Sequence, residues 1–238
     1  MKPIAIFRHS ITEGPGYFAT ALDRYHVPWR LIKTDAGDAV PVDSSGFGGL
    51  AFMGGPMSVN DDLPWIAPVL ALIRDAVHAD VPVIGHCLGG QLMAKALGGV
   101  VTCNPVKEIG WGAVDVLPVD ESRRWLGAST SFESFHWHGE TFTIPSGAVR
   151  LAASEHCPNQ MFSLGKHLGM QCHVEMTPGL IADWCKDWGK EITTLAQHTP
   201  SVQTPGEMLD RVEEKVRALN AVADRIYAEW VKGLKDVT

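Results

Sequence analysis

The sequence predicts an α/β fold: a mainly parallel sheet with helices on both faces. Three observations carry that expectation. Four short runs of apolar and β-forming residues lie before residue 87, segments with helical spacing separate them, and the fourth run ends in a glycine-rich corner that opens a helix.

In chain order, "PIAIF" (Pro3 to Phe7) is the first strand, and "GYFATALDRYH" has the apolar spacing of a helix. "WRLIK" (Trp29 to Lys33) and "GGLAFM" (Gly48 to Met53) are the next two strands. "PWIAPVLALIRDAVHAD" is a second helix, and "VPVIGH" (Val81 to His86) a fourth strand. The result is a β-α-β-β-α-β rhythm. Active sites of such sheets gather at the carboxyl ends of the strands, which singles out "GGP" (Gly54 to Pro56) and Cys87. Beyond Gly99 the pattern is more strand-like. "GWGAVDVLPV", "AVRLAAS" and "HLGMQCHVE" read as strands and "WHGETFTIPSG" as a loop, giving the rest of the sheet plus a small antiparallel insertion. From about 205 to 234, apolar residues at steps of three or four (Leu209, Val212, Val216, Leu219, Val222, Ile226, Trp230) predict one amphipathic helix. Neither a repeat nor a Pro/Ser-rich linker divides the chain, so residues 1–238 are expected to form a single domain.

At 238 residues the chain is long enough to bury a substantial core. It lacks an apolar run of the length that crosses a bilayer, and "MKPIAIFRHS" reads as a strand rather than a secretory leader, so a cytoplasmic, non-membrane protein is expected. Five cysteines, an odd number with no CxxC pair, argue for a reducing compartment and against a disulfide framework or zinc ribbon. A net charge of −7, spread along the chain with no basic patch, argues against nucleic-acid binding and for a small-molecule ligand.

"GHCLGG" resembles the GxSxG elbow of α/β hydrolases with sulfur in place of oxygen. Such a corner lifts its nucleophile toward solvent and sets it near the positive end of the following helix, which favours a thiolate. The elbow alone is equally compatible with a cysteine that merely packs. A nucleophilic Cys87 needs a base held in place. In "QCHVE", His173 and Glu175 are two residues apart and share a face if that segment is a strand, so the carboxylate can orient the imidazole. Spacing does not decide whether that face meets Cys87, and His86, His136 and His138 are other available histidines.

"GGPMSV", "GHCLGGQLMAKALGG", "WHGE" and "QCHVE", in this order, resemble the glutaminase domain of class I glutamine amidotransferases, over most of the chain to about residue 185. The free-standing, GMP-synthase-like members are most similar. The resemblance implies a flavodoxin-like fold and a Cys-His-Glu triad at Cys87, His173 and Glu175. It implies an oxyanion hole from the backbone N–H groups of Gly55 and Leu88, and substrate contacts from Gln91, Trp137, His138 and Gly139. His9, Glu108 and Trp111 match positions that line the mouth in related members, with no role assigned to any one of them. No cofactor and no metal is implied. The implied substrate is glutamine or another γ-glutamyl small molecule, and a synthetase that receives the ammonia is the implied partner. Larger γ-glutamyl compounds, or a non-catalytic docking role beside a synthetase, are the alternatives. This chain departs from the family's His-Pro-Glu pattern by carrying Cys172 before the histidine and Val174 after it.

Overall fold

The computed structural model describes residues 1–234 and contains a nine-stranded sheet of order β2-β1-β3-β4-β9-β8-β7-β5-β6. Strands β1 (Ile4–Arg8), β2 (Trp29–Lys33), β3 (Gly49–Phe52), β4 (Val83–His86) and β9 (His167–Met170) are mutually parallel. Strands β8 (Met161–Leu164), β7 (Val149–Ala153), β5 (Val101–Val116) and β6 (Ser131–Phe142) continue the same sheet in antiparallel order. Helices α1 (Gly16–Arg24), α2 (Ile66–His78), α3 (Leu88–Ala96), α4 (Asp120–Leu126), α5 (Pro178–Ala196), α6 (Pro205–Leu209) and α7 (Val212–Lys232) surround it.

Strand alternation explains why helices occupy both faces. Ile4, Ile6, Ala51, Met53 and Ile84 point to one side, where they pack with Phe18 and Leu22 of α1, Trp184 of α5 and Leu219, Ile226 and Trp230 of α7. Ala5, Phe7, Leu50, Phe52 and Val83 point to the other, against Val69, Leu72 and Ile73 of α2 and Leu92 and Met93 of α3. A strand covered on both sides has no polar face to show. That is why β3 and β4 are fully buried and read as continuous apolar runs.

Three expectations change on contact with the fold. The antiparallel part is not a small insertion but four strands of the central sheet. "WHGETF" is not loop but the end of β6, paired with β5 along its length from Val101↔Phe142 to Asp115↔Ser131 around a bulge between Cys103 and Glu108. Gly139, expected within that loop, lies in β6 under the aliphatic stem of Lys107, where a side chain would crowd that stem. The single C-terminal helix is two helices. A Thr204–Glu207 capping box and Pro205 start α6, and the chain then passes through an extended Asp210 and a left-handed Arg211 before α7 begins. The carbonyl of Met208 accepts the indole N–H of Trp111 at 2.9 Å, so the last turn of α6 is engaged by the sheet.

Among the described residues no helix is long and apolar enough to cross a membrane.

Gly89 marks the closest helix–sheet approach, since a Cβ there would lie 2.0 Å from the carbonyl oxygen of Phe52. Gly89→Ala is expected to destabilise the protein by about 2–3 kcal/mol through overpacking. Gly206→Ala, where a Cβ meets nothing within 4 Å, is expected to be neutral or stabilising by roughly 0.5 kcal/mol. Urea unfolding of the two variants distinguishes them.

Candidate active site

Cys87 is the first residue after β4 and caps the N-terminus of α3, with φ 51° and ψ −108°. Positive φ in a residue with a side chain is strained, and the surrounding glycines show what holds it there. A Cβ on Gly85 would sit 2.4 Å from Gly89 backbone, and one on Gly90 2.3 Å from the carbonyl oxygen of Met170. Strand, corner and helix are pressed together with no side chains between them.

The elbow does not lift the thiol into open solvent, as the sequence led one to expect: Cys87 is only 6% exposed. It lies in the wall of a cavity of about 460 Å³ that also receives Glu13, Gly55, Gln91, Trp137 and Gly139. Its sulfur accepts a long hydrogen bond from Gln171 Nε2 at 3.6 Å and faces the Trp137 carbonyl at 3.9 Å. Cys103 is the exposed cysteine, and Cys157, Cys172 and Cys185 are buried.

His173 lies beyond the end of β9, so "QCHVE" is not strand throughout. Its segment instead bridges to β6: the His173 N–H donates to the Phe135 carbonyl at 2.8 Å, and Ser134 Oγ donates to the His173 carbonyl at 3.2 Å. Glu175 follows with its side chain on the same side, and its Oε1 is 2.6 Å from His173 Nδ1. Trp184 of α5 meets the imidazole edge-to-face at 5.1 Å. Both members of the pair are 1% exposed. Burial alone lowers the pKa of His173, but the charge of Glu175 and the nearby Cys87 sulfur outweigh it and hold the imidazole well above 6.5. For Glu175 burial acts upward, and the charges of His173 and His86 with the bond to His173 bring it below the usual carboxylate value. His173 Nε2, the nitrogen left over, is buried without a hydrogen-bond partner among the described residues. Helix α1 closes the far side. Tyr17 N–H donates to the Glu175 carbonyl at 2.7 Å, and Gly16 allows this because a Cβ there would lie 2.2 Å from that oxygen.

Of the other predicted contacts, Gly55, Gln91, Trp137, His138 and Gly139 line this cavity. Gly55 lies in the turn after β3, and a Cβ on it would touch Leu88 Cδ2 at 2.8 Å, so the two expected oxyanion donors are neighbours. Leu88 opens α3, where first-turn N–H groups have no partner within the helix. Gln91 lines the cavity, but its amide nitrogen donates to Gln171 Oε1 at 3.2 Å, so it is held by the residue that also reaches Cys87. His138 contributes to the lining while its ring is bound elsewhere, with Nε2 3.1 Å from Glu108 Oε2 and Nδ1 3.0 Å from the Glu140 carbonyl.

His9, Glu108 and Trp111 do not line the cavity. Glu108 pairs across the ladder with His138, and both alternate to the face opposite Ile109 and Trp137. Trp111 is drawn under α6 by its bond to Met208. His9 is stacked on Trp65 at 4.5 Å, and burial pushes its pKa down to about 3. The other two histidines the sequence offered as bases are committed as well: His86 Nε2 is 3.0 Å from the Tyr227 hydroxyl, and His136 is buried with a pKa lowered to about 4.

Glu108, His136 and His138 bring ligand-type atoms within 4.8 Å of one another. Gln160 Nε2 already sits among them, 2.9 Å from Glu108 Oε2 and 3.5 Å from each of His136 Nδ1 and His138 Nε2. Ser154 Oγ donates to Glu108 at 2.7 Å. An amide at the convergence point makes this a hydrogen-bonded network under the hairpin.

Two polar residues beside Cys87 or in the cavity wall, Gln171 and Glu13, escaped sequence reading. Gln171 was hidden beside the more conspicuous His173. Glu13 follows β1 at the same sheet edge as "GGP" and Cys87, and that edge was the one available signal. It is 7% exposed, and burial pushes its pKa up to about 7, with His173 acting downward and Glu175 upward.

Residues 19–187 match the family profile described as glutamine amidotransferase class-I. A glutamine amidotransferase-like protein, YfeJ, of Salmonella typhimurium is 33% identical over 185 residues, covering 74% of this chain and 77% of that protein. The glutamine-hydrolyzing GMP synthase of Aliivibrio fischeri is 32% identical over 152 residues, and the match spans 63% of this chain but only 27% of that longer enzyme. Among solved structures, a glutamine amidotransferase from Methylobacillus flagellatus superposes with a TM-score of 0.96 at 46% identity, covering 99% of this chain and 96% of the other.

Two outcomes follow from the burial and charge of the site. Iodoacetamide is expected to label Cys103 first, whereas a glutamine-shaped diazo ketone should label Cys87; peptide mapping reads both. The stability that wild type gains over Glu175→Gln should vary with pH. Glu175, lowered in the fold, contributes above its ordinary 4.5 and loses this as pH falls through the lowered value. His173, raised in the fold, contributes below its ordinary 6.5 and loses this as pH rises through the raised value. The difference in urea-unfolding free energy should therefore be largest between 4.5 and 6.5 and shrink on both sides.

Proposed function

The chain belongs to the class-I glutamine amidotransferase family, and from that premise we propose that it hydrolyses the γ-glutamyl amide of glutamine through a thioester on Cys87. The carrying observation is the buried 2.6 Å His173–Glu175 pair beside a strained cysteine elbow. In this reading the proton of the Cys87 thiol rests on His173 Nε2, whose pKa the neighbouring sulfur helps to raise, and the thiolate sulfur attacks the amide carbon. Backbone N–H groups of Gly55 and Leu88 receive the oxyanion, a type of contact whose loss costs about 3–4 kcal/mol of barrier. His173 passes the proton to the leaving nitrogen, the C–N bond breaks and ammonia departs. Water, deprotonated by His173, then cleaves the thioester to release glutamate and restore the thiol. Glu175 fixes the tautomer of His173 and stabilises the imidazolium.

The described elements together make one glutaminase-type domain in this reading, working in the cytoplasm and able to pass ammonia to a synthetase. The glutamine-hydrolyzing relatives support a glutamine substrate and such a partner. A second reading rests on the cavity. Its volume of about 460 Å³ lies in the range that accepts drug-sized ligands, and Trp188, Ile192 and Leu195 of α5 give it an apolar wall. Such a wall suits a γ-glutamyl compound with a leaving amine larger than ammonia.

Glutamate release from glutamine, γ-glutamyl dipeptides and glutathione tests both readings. Cys87→Ala should abolish turnover, His173→Ala should nearly do so, and Glu175→Gln should retain part of the activity. A kcat/KM for the peptides about 100-fold above that for glutamine, roughly 2.7 kcal/mol, replaces the glutamine reading with the peptidase reading. No hydrolysis of any of these compounds overturns both.

A further inference from the structure

We propose that Glu13 is a substrate-touching residue whose carboxylate accepts a hydrogen bond from the departing nitrogen of the γ-glutamyl amide, and that it thereby selects amides over esters. The inference rests on the hydrolase reading above.

Glu13 belongs to the loop between β1 and α1, where its N–H donates to the Ser10 carbonyl at 3.0 Å. Its carboxyl lines the cavity and receives no hydrogen bond from the described residues. Gly54 fixes its position relative to the chemistry. A Cβ on Gly54 would lie 2.6 Å from Glu13 Oε2 and 3.2 Å from His173 Cε1, so the carboxyl and the imidazole edge flank one point on the turn that leads to Gly55. The substrate carbon has only so many directions to offer. Its oxygen is directed at the N–H groups of Gly55 and Leu88, its chain at the wall of Trp137 and Gly139, and its nitrogen at His173, which must protonate it. A carboxyl beside His173 therefore faces the nitrogen.

A primary or secondary amide nitrogen carries N–H and can donate to Glu13 while its lone pair turns to His173 Nε2. An ester oxygen carries only lone pairs and meets the carboxylate without a hydrogen bond. The proton balance of the reaction is unchanged, because Glu13 accepts a hydrogen bond and takes no proton. Burial pushes the carboxyl's pKa up to about 7, so little free energy separates its acid from its anion, and a donor from the substrate favours the anion.

Glutamine and glutamate γ-methyl ester form the same thioester and differ in the leaving group, ammonia against methanol, so the change in kcat/KM for each substrate on substitution of Glu13 isolates the effect. Glu13→Ala should lower the amide value by about 30-fold or more while the ester stays within about threefold of wild type. Glu13→Gln, which keeps an acceptor oxygen without the charge, should recover part of the loss, with an amide-to-ester ratio between those of wild type and Glu13→Ala. Retained ester hydrolysis also reports that each variant is folded, and Glu13→Gln alone decides if the alanine protein does not fold. Equal losses on both substrates, or no change in the ratio, overturn the proposal and leave Glu13 as a structural group or a site for the substrate's α-ammonium. Wild-type protein that cleaves neither substrate overturns the hydrolase reading itself.

Discussion

Helix α3 lies against β3 and β9 with no side chain between the backbones, because Gly89 faces the carbonyl of Phe52 and Gly90 that of Met170. This close approach forces the chain to turn within one residue, and Cys87 takes the positive φ that the turn requires. The strain is offset by the packing of a helix buried along nearly all its residues. It also sets the height of the helix N-terminus relative to the turn after β3. That relation brings Gly55 beside Leu88, and a shift of α3 by one methyl group would separate them. The backbone geometry of the site is thus a by-product of glycine packing.

Around this corner the protein buries an unusual density of titratable groups. Charges inside a protein are costly unless paired. Glu175 and His173 compensate one another, His86 turns to Tyr227, and the backbone N–H of Tyr17 secures the carbonyl of Glu175. Trp184 shields the imidazole and, through its edge contact with Trp137 at 5.4 Å, joins α5 to β6. Some atoms here have no hydrogen-bond partner among the described residues, His173 Nε2, Glu175 Oε2 and His86 Nδ1 among them, and the Glu13 carboxyl lines the cavity.

Most of the parallel half of the sheet was legible because β1, β3 and β4 are buried on both faces and so announce themselves as apolar runs, whereas the edge strand β2, with Arg30 and Lys33 exposed, was legible from its β-forming residues; "PIAIF" and "WRLIK" locate β1 and β2 within a residue or two. The cysteine corner was legible from its glycines. The β5–β6 hairpin was not, because "WHGETF" mixes polar residues on a strand whose identity comes from a partner some thirty residues earlier in the ladder, as Glu108↔His138 shows. The same hairpin explains why Glu108 was misplaced at the mouth: neighbours in sequence project to opposite faces. Glu13 was illegible for a different reason. Nothing in "HSITEG" distinguishes a cavity carboxyl from a solvated loop residue until β1 is laid beside β3 and the Gly54 turn closes over it. The break at Asp210 and Arg211 likewise depends on a tertiary bond, from Trp111 to Met208, that the apolar spacing of the two helices does not reveal.

Strand β9 is the hinge between the two halves of the sheet, parallel to β4 on one side and antiparallel to β8 on the other. The elbow is made of residues adjacent in the chain and can form early. His173 arrives only after the chain has travelled out through β5, β6, β7 and β8 and come back to lie next to β4. Closing such long excursions is the slow part of folding a sheet with non-local pairing. A nascent or partly folded chain therefore carries the thiol of Cys87 without an imidazole beside it. Any reactivity that depends on both, as the proposed mechanism does, is withheld until the sheet is complete.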